Sequence, residues 1–149
     1  CSNLLARGFE HSGANAGLVT AFEALEHFGE PVKELENMFS IAPNVLVSTE
    51  IIPKPCPNIH TWWYYGIDHG QHIGFFRVST LQKLAERFGK RLITNGTSYH
   101  LFCEHPISIP FWKLSLRFNR LIPTFARHSL ISKTWTDHEL LAKTRKPCE

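Results

Sequence analysis

Leu18 to Phe22 (LVTAF) is a short apolar run carrying Val, Thr and Phe, and it reads as a buried strand. Pro31 then suits the first turn of a helix. Val32, Leu35, Met38 and Phe39 follow at helical spacing until Pro43 closes the segment. Residues 44–52 (NVLVSTEII) are a β-branched run and predict the clearest strand of the chain. PKPCPN, Pro53 to Asn58, holds three prolines, which remove backbone donors from any sheet, so a loop is expected there. Ser79 with Gln82 three residues on resembles a capping box. Leu81, Leu84, Ala85 and Phe88 form the apolar stripe of that second helix, and Gly89 supplies its stop. RLIT and TSYHLFC then flank Asn95-Gly96, the favoured dipeptide of a tight hairpin.

Strand, helix, strand, long loop, helix and hairpin, in that order, predict an α/β fold. Residues 18–22 should lie parallel to 45–51, with the 91–103 hairpin adding antiparallel strands and helices covering the faces. After Cys103 the pattern loses its period. Residues 106–149 mix aromatic, aliphatic and basic side chains with prolines at 106, 110 and 123, so they predict a basic, partly helical appendage on a domain spanning 1–105.

The 149 residues suffice for one domain with a real core, and 43% hydrophobic against 19% charged residues exclude a disordered chain. The apolar runs are far shorter than a bilayer span, so no transmembrane segment is expected. Cys1, Cys56, Cys103 and Cys148 form no C-x-x-C pair, which favours reduced thiols in a cytoplasmic protein and disfavours cysteine-bound zinc. Charge is uneven. Residues 1–74 hold 3 Lys/Arg against 8 Asp/Glu, whereas residues 75–149 hold 13 against 5. A basic half can meet phosphates or an anionic surface, although a solvated basic face is the plainer reading and nucleic acid the less favoured partner. Nothing in the sequence sets an oligomeric state.

The candidate chemistry sits in TAFEALEHFGEP, Thr20 to Pro31. In an open α/β sheet, ligands lie beyond the carboxyl ends of the strands, and Glu23 directly follows the first strand. If the chain turns helical there, Glu23, Glu26 and His27 share a face. Two carboxylates and an imidazole suit a divalent cation or a shared proton network. The plainer alternative is that Glu23 or His27 caps the next turn.

VTAFEALEHF resembles the segment after the fourth sheet strand of class I S-adenosylmethionine-dependent methyltransferases, written E-x-L-E-H. PVKELENMFSIAPNVLVSTEIIP is similar to that family's next helix and strand. HGQHIGFFRVSTLQKLAERFG is similar to its H-x-x-F-S-x-x-x-L segment, and the hairpin to its last strands. The resemblance covers roughly residues 1 to 103. It implies a partial Rossmann-like sheet and methyl transfer from S-adenosylmethionine. It also places Ala21, Phe22 and Glu23 beside the cofactor's methionine portion.

In some relatives the E-x-x-E-H cluster and a later histidine hold a divalent metal such as Mg²⁺. The matching positions are Glu23, Glu26, His27 and either His69 or His72, of which His72 is preferred because it directly precedes Ile-Gly-Phe-Phe. His27 or His72 is the expected base, and the expected acceptor is an oxygen nucleophile on a small molecule or saccharide. The family's glycine-rich cofactor loop and its ribose-binding acid have no counterpart here, so the chain resembles the C-terminal part of such a domain. Two other classes use the same features. A metal-dependent hydrolase could employ the Glu/Glu/His cluster, and a non-catalytic module could bind anionic partners through the basic half. The aromatic run Trp62, Trp63, Tyr64, Tyr65 would either clamp an acceptor or bury a loop. His60, His100, His105, His128 and His138 are expected in surface or satisfied core roles.

Overall fold

Val19–Phe22 forms β1, and its parallel neighbour β2 is Val45–Ser48, in register from Val19 beside Val45 to Phe22 beside Ser48. The computed structural model describes residues 13–68, 70, 72–118, 135–136 and 139. The chain divides into a compact unit, Asn15–Lys113, and a second made of Cys1–Ala14 with Leu114–Glu149; the whole sheet belongs to the first.

Between β1 and β2 runs α1 (Pro31–Ile41), with Pro31 in the first turn, where its missing N–H costs no hydrogen bond. Leu35 is fully buried, and Met38 and Phe39 pack beside it against the core. The β-branched run pairs as a strand only to Ser48. Beyond it the chain stays extended but changes partners. The Thr49 and Ile51 N–H groups donate to the carbonyls of Ser98 and Thr97, and Ile52 donates to Phe76.

The second helix, α2 (Val78–Arg87), begins one residue before the expected cap. Arg77 holds the cap position with no side-chain hydrogen bond. Gln82 does not reach back to form a capping box; its amide donates to Glu86 Oε1 at 3.3 Å. The helix ends as expected. Gly89 has φ +62°, its N–H donates to the Glu86 carbonyl, and Lys90 N–H donates to Ala85, the paired bonds of a Schellman stop. No atom lies within 4 Å of a Cβ built on Gly89, so only backbone strain opposes a side chain there. Gly89→Ala is therefore expected to cost about 1 kcal/mol in chemical denaturation, without a new clash.

β3 (Arg91–Thr94) and β4 (Tyr99–Cys103) complete the sheet in the order β1-β2-β4-β3, with β4 antiparallel to both neighbours. The turn is not the two-residue type that Asn-Gly favours. Four residues, 95–98, separate the strands. The Asn95 side-chain oxygen accepts the N–H groups of Thr97, Ser98 and Tyr99 at 3.0, 3.0 and 2.9 Å. A side chain satisfying three successive donors stabilises the longer loop.

The pleat sends alternate residues to opposite faces. Val45, Val47 and Phe102 meet Leu25, Leu35, Phe76, Leu81 and Ala85 in the larger core. Ile93, Leu101 and Cys103 face the other way, against Leu46 and Trp112. His100 is fully buried and both its nitrogens are satisfied, Nδ1 by Thr94 Oγ1 at 2.7 Å and Nε2 by the Thr49 carbonyl at 3.0 Å. α3 (Ile109–Arg117) follows the sheet. Most of the expected appendage beyond it, with His128 and His138, lies outside the described residues.

Candidate active site

β1 ends in a corner. Glu23 has φ +47°, a left-handed backbone conformation unusual for a side chain of its size, and it is held there by Ser48 at the end of β2. Glu23 N–H donates to Ser48 Oγ at 2.8 Å, and that hydroxyl donates to Glu23 Oε1 at 2.6 Å. The strained corner lets the chain leave the sheet at once and form a single 3-10 turn, Leu25–His27. Glu23 therefore lies outside the turn. It does not share a helical face with Glu26 and His27 as the spacing suggests, because its side chain is committed to Ser48.

The turn buries Leu25 and Glu26 completely and leaves His27 about a third exposed. His27 Nε2 lies 4.0 Å from Glu26 Oε1. His72 joins them from the loop before α2, its ring set edge-on to His27 with centroids 4.9 Å apart. One donor atom from each of Glu26, His27 and His72 falls within 4.8 Å of the others. Of the four metal ligands implied by sequence, these three converge and Glu23 does not. His69 lies outside the described residues.

Two contacts fix His72. The N–H groups of Ile73 and Gly74 both donate to the Glu26 carbonyl at 2.9 Å, which ties the loop to the turn. A Cβ on Gly74 would stand 3.3 Å from the Phe76 ring and 3.6 Å from that carbonyl, so the close approach favours glycine. His72 Nδ1 lies 2.6 Å from the Tyr64 carbonyl. A carbonyl only accepts, so Nδ1 carries a proton, and in the neutral ring Nε2 is the nitrogen with the free lone pair.

Tyr64 is the residue that spacing did not single out. It sits in the 3-10 turn Trp63–Tyr65, fully buried, with its ring 4.5 Å from that of His72 and its hydroxyl 3.1 Å from Thr49 Oγ1. Burial, assisted by the neighbouring Glu26 carboxylate, holds its phenol well above the usual tyrosine range. The aromatic run thus divides its roles. Tyr64 is buried and supports the site, whereas Trp63 is 75% exposed beside a cavity of about 420 Å³ shared with Ile59, His60 and Trp62.

Among the described residues, neither Glu26 carboxylate oxygen meets a hydrogen-bond donor. The Tyr64 hydroxyl, 3.1 Å from Thr49 Oγ1, is close enough to that carboxylate for its charge and hydrogen bonding to help raise the phenol pKa. A fully buried carboxylate without a close donor is costly to keep.

The domain is a mixed α/β sheet with acidic and imidazole groups gathered beyond the end of β1, the edge at which open α/β sheets place their ligands. A protein-family model described as a methyltransferase domain matches residues 5–95, and the chain belongs to that family. Its members transfer a methyl group from S-adenosylmethionine to an acceptor. Comparisons with curated proteins and with solved structures give no match. Among the described residues, no helix is long and apolar enough to cross a membrane.

Proposed function

We propose that this domain methylates an oxygen nucleophile on a small molecule or saccharide, with Glu26, His27 and His72 as its reacting centre. The observation that carries this reading is the buried Glu26 carboxylate, unpartnered by any donor among the described residues and facing two imidazoles. His72, with its proton on Nδ1, offers Nε2 as the acceptor of a hydroxyl proton. S-adenosylmethionine, when bound, would supply the electrophilic sulfonium methyl to the acceptor oxygen that His72 relieves of its proton. His27, whose Nε2 lies 4.0 Å from Glu26 Oε1, can serve the same purpose. Ala21, Phe22 and Glu23 line the cofactor's methionine portion in this reading, the Glu23 corner being held rigid by Ser48.

One carboxylate and two imidazoles also suit a divalent cation, and a histidine whose second nitrogen donates to a backbone carbonyl is oriented as metal-ligating histidines are. Glu26, His27 and His72 would hold the ion. When bound, it lowers the pKa of a coordinated oxygen nucleophile. The free thiols of Cys56 and Cys103 are in keeping with a reducing, cytoplasmic setting.

The test is incorporation of labelled methyl from S-adenosylmethionine into a panel of hydroxylated small molecules and saccharides, with Mn²⁺ binding followed separately by its paramagnetic resonance. His27→Gln and His72→Gln together are expected to lower methyl transfer by about 10²- to 10⁴-fold, the usual contribution of a positioned base. His72→Gln alone should weaken Mn²⁺ binding. Undiminished transfer in the double variant would remove the histidines from the mechanism. Mn²⁺ binding unchanged by His72→Gln would leave a proton network without a metal.

A further inference from the structure

A second cavity, of about 510 Å³, opens beyond the carboxyl end of β2. Ile51 and Ile52 lie on the chain as it leaves the sheet, and both line the cavity together with Trp62. The charged groups lining it are Glu50, Lys54 and Arg77. Among the described residues neither Lys54 nor Arg77 has an ion-pair partner, and Glu50 pairs with neither of them. Two cations left uncompensated around an apolar hollow are an invitation to an anion, and the planar Arg77 guanidinium suits a carboxylate or phosphate in a two-pronged contact.

The aromatic wall is held in place. Trp62 packs against Tyr64, Tyr65 and Phe75 with ring centroids 5.4, 4.9 and 5.9 Å away. An indole so braced offers a flat face to a sugar or aromatic ring at little cost in side-chain entropy. Tyr64, on the other side of that contact, is the residue that touches His72. Glu50 stands where the cavity meets the strand ends and feels the charge of Glu23; burial first, then that charge, raise its carboxyl above the ordinary range. Through Trp62 and Tyr64 the cavity therefore adjoins the reacting centre at His72.

We propose that this cavity binds the methyl acceptor, and that the acceptor is a hydroxylated ring bearing an anionic group, phosphate or carboxylate, which Lys54 and Arg77 hold while the ring lies on Trp62. This rests on the methyl-transfer reading and adds the chemical class of the acceptor.

Calorimetric titration of the whole 149-residue chain with glucose 6-phosphate, glucuronate, glucose and phenyl phosphate tests it. The anionic probes are expected to bind at least about tenfold more tightly than glucose, the effect of one charge-assisted hydrogen bond. The tighter of the phosphate and carboxylate sugars identifies the anion, and phenyl phosphate against glucose 6-phosphate identifies the ring. Arg77→Gln and Lys54→Gln should each erode the preference, and added salt should weaken it. Both side chains are exposed, so melting curves of these variants should stay close to the wild type. Equal binding of glucose, no binding of any probe, or a preference that survives both substitutions would overturn the proposal. Glu26→Gln with His72→Gln separates the two readings. Anion binding retained without methyl transfer supports both, whereas transfer retained alongside lost anion selectivity in Arg77→Gln supports the cavity alone.

Discussion

Glu26→Leu is expected to melt at a higher temperature than the wild type while losing methyl transfer. Glu26 is wholly buried, and neither carboxylate oxygen makes a hydrogen bond of good geometry among the described residues. Removing an unsatisfied buried polar group recovers its desolvation penalty of about 1–3 kcal/mol, and leucine fills much of the same volume. The backbone carbonyl that anchors Ile73 and Gly74 is untouched by the change, so the loop carrying His72 should keep its place. Thermal melting and labelled-methyl transfer measured on the same preparations decide the matter. Lower melting with undiminished transfer would make Glu26 a structural residue.

His100→Ala is expected to destabilise the domain by about 2–5 kcal/mol, through a cavity at a fully buried position and the loss of partners for Thr94 and Thr49. The pH dependence has a definite sign. Burial lowers the His100 pKa from 6.5, and the hydrogen bond to the Thr49 carbonyl opposes this only in part. The unfolded chain therefore takes up this proton at a higher pH than the folded one. The stability associated with neutral His100 is complete above pH 6.5 and is lost as pH falls towards the lowered folded value, by up to about 1.4 kcal/mol per pH unit. Melting series from pH 7.5 downward should show a smaller acid loss in His100→Ala than in the wild type. Parallel curves would show that His100 does not titrate on unfolding.

The helices and the strands were legible along the chain because each is written at short range. Leu35, Met38 and Phe39 recur at a helical period after Pro31, and Leu81, Leu84, Ala85 and Phe88 do so before Gly89. Boundaries were less so. Residues 49–52 have the same β-branched character as 45–48, yet the N–H groups of Thr49, Ile51 and Ile52 go to Ser98, Thr97 and Phe76, which are distant in sequence. The turn at Asn95 follows its side chain's hold on three backbone donors, a tertiary choice that the Asn-Gly dipeptide does not encode.

At the site, E-A-L-E-H placed Glu26 and His27 together because neighbours within one turn must stay close whatever the fold. The segment also carried the family resemblance that the match over residues 5–95 bears out. His72 could be brought to them only by the loop that Ile73 and Gly74 tie to the Glu26 carbonyl across 47 residues of chain. Glu23 was separated from them by a left-handed corner and by Ser48, contributed from the neighbouring strand. Tyr64, Thr49 and His100 acquired their roles through burial, a property of the packed domain and not of any short stretch. The sequence by itself determined what local periodicity and adjacency can carry: the order of elements, the apolar stripes of the two helices and the acid–histidine pair. Tertiary structure alone decided which distant side chain completes the pair and which near one leaves it, because hydrogen bonds between separate segments override spacing along the chain.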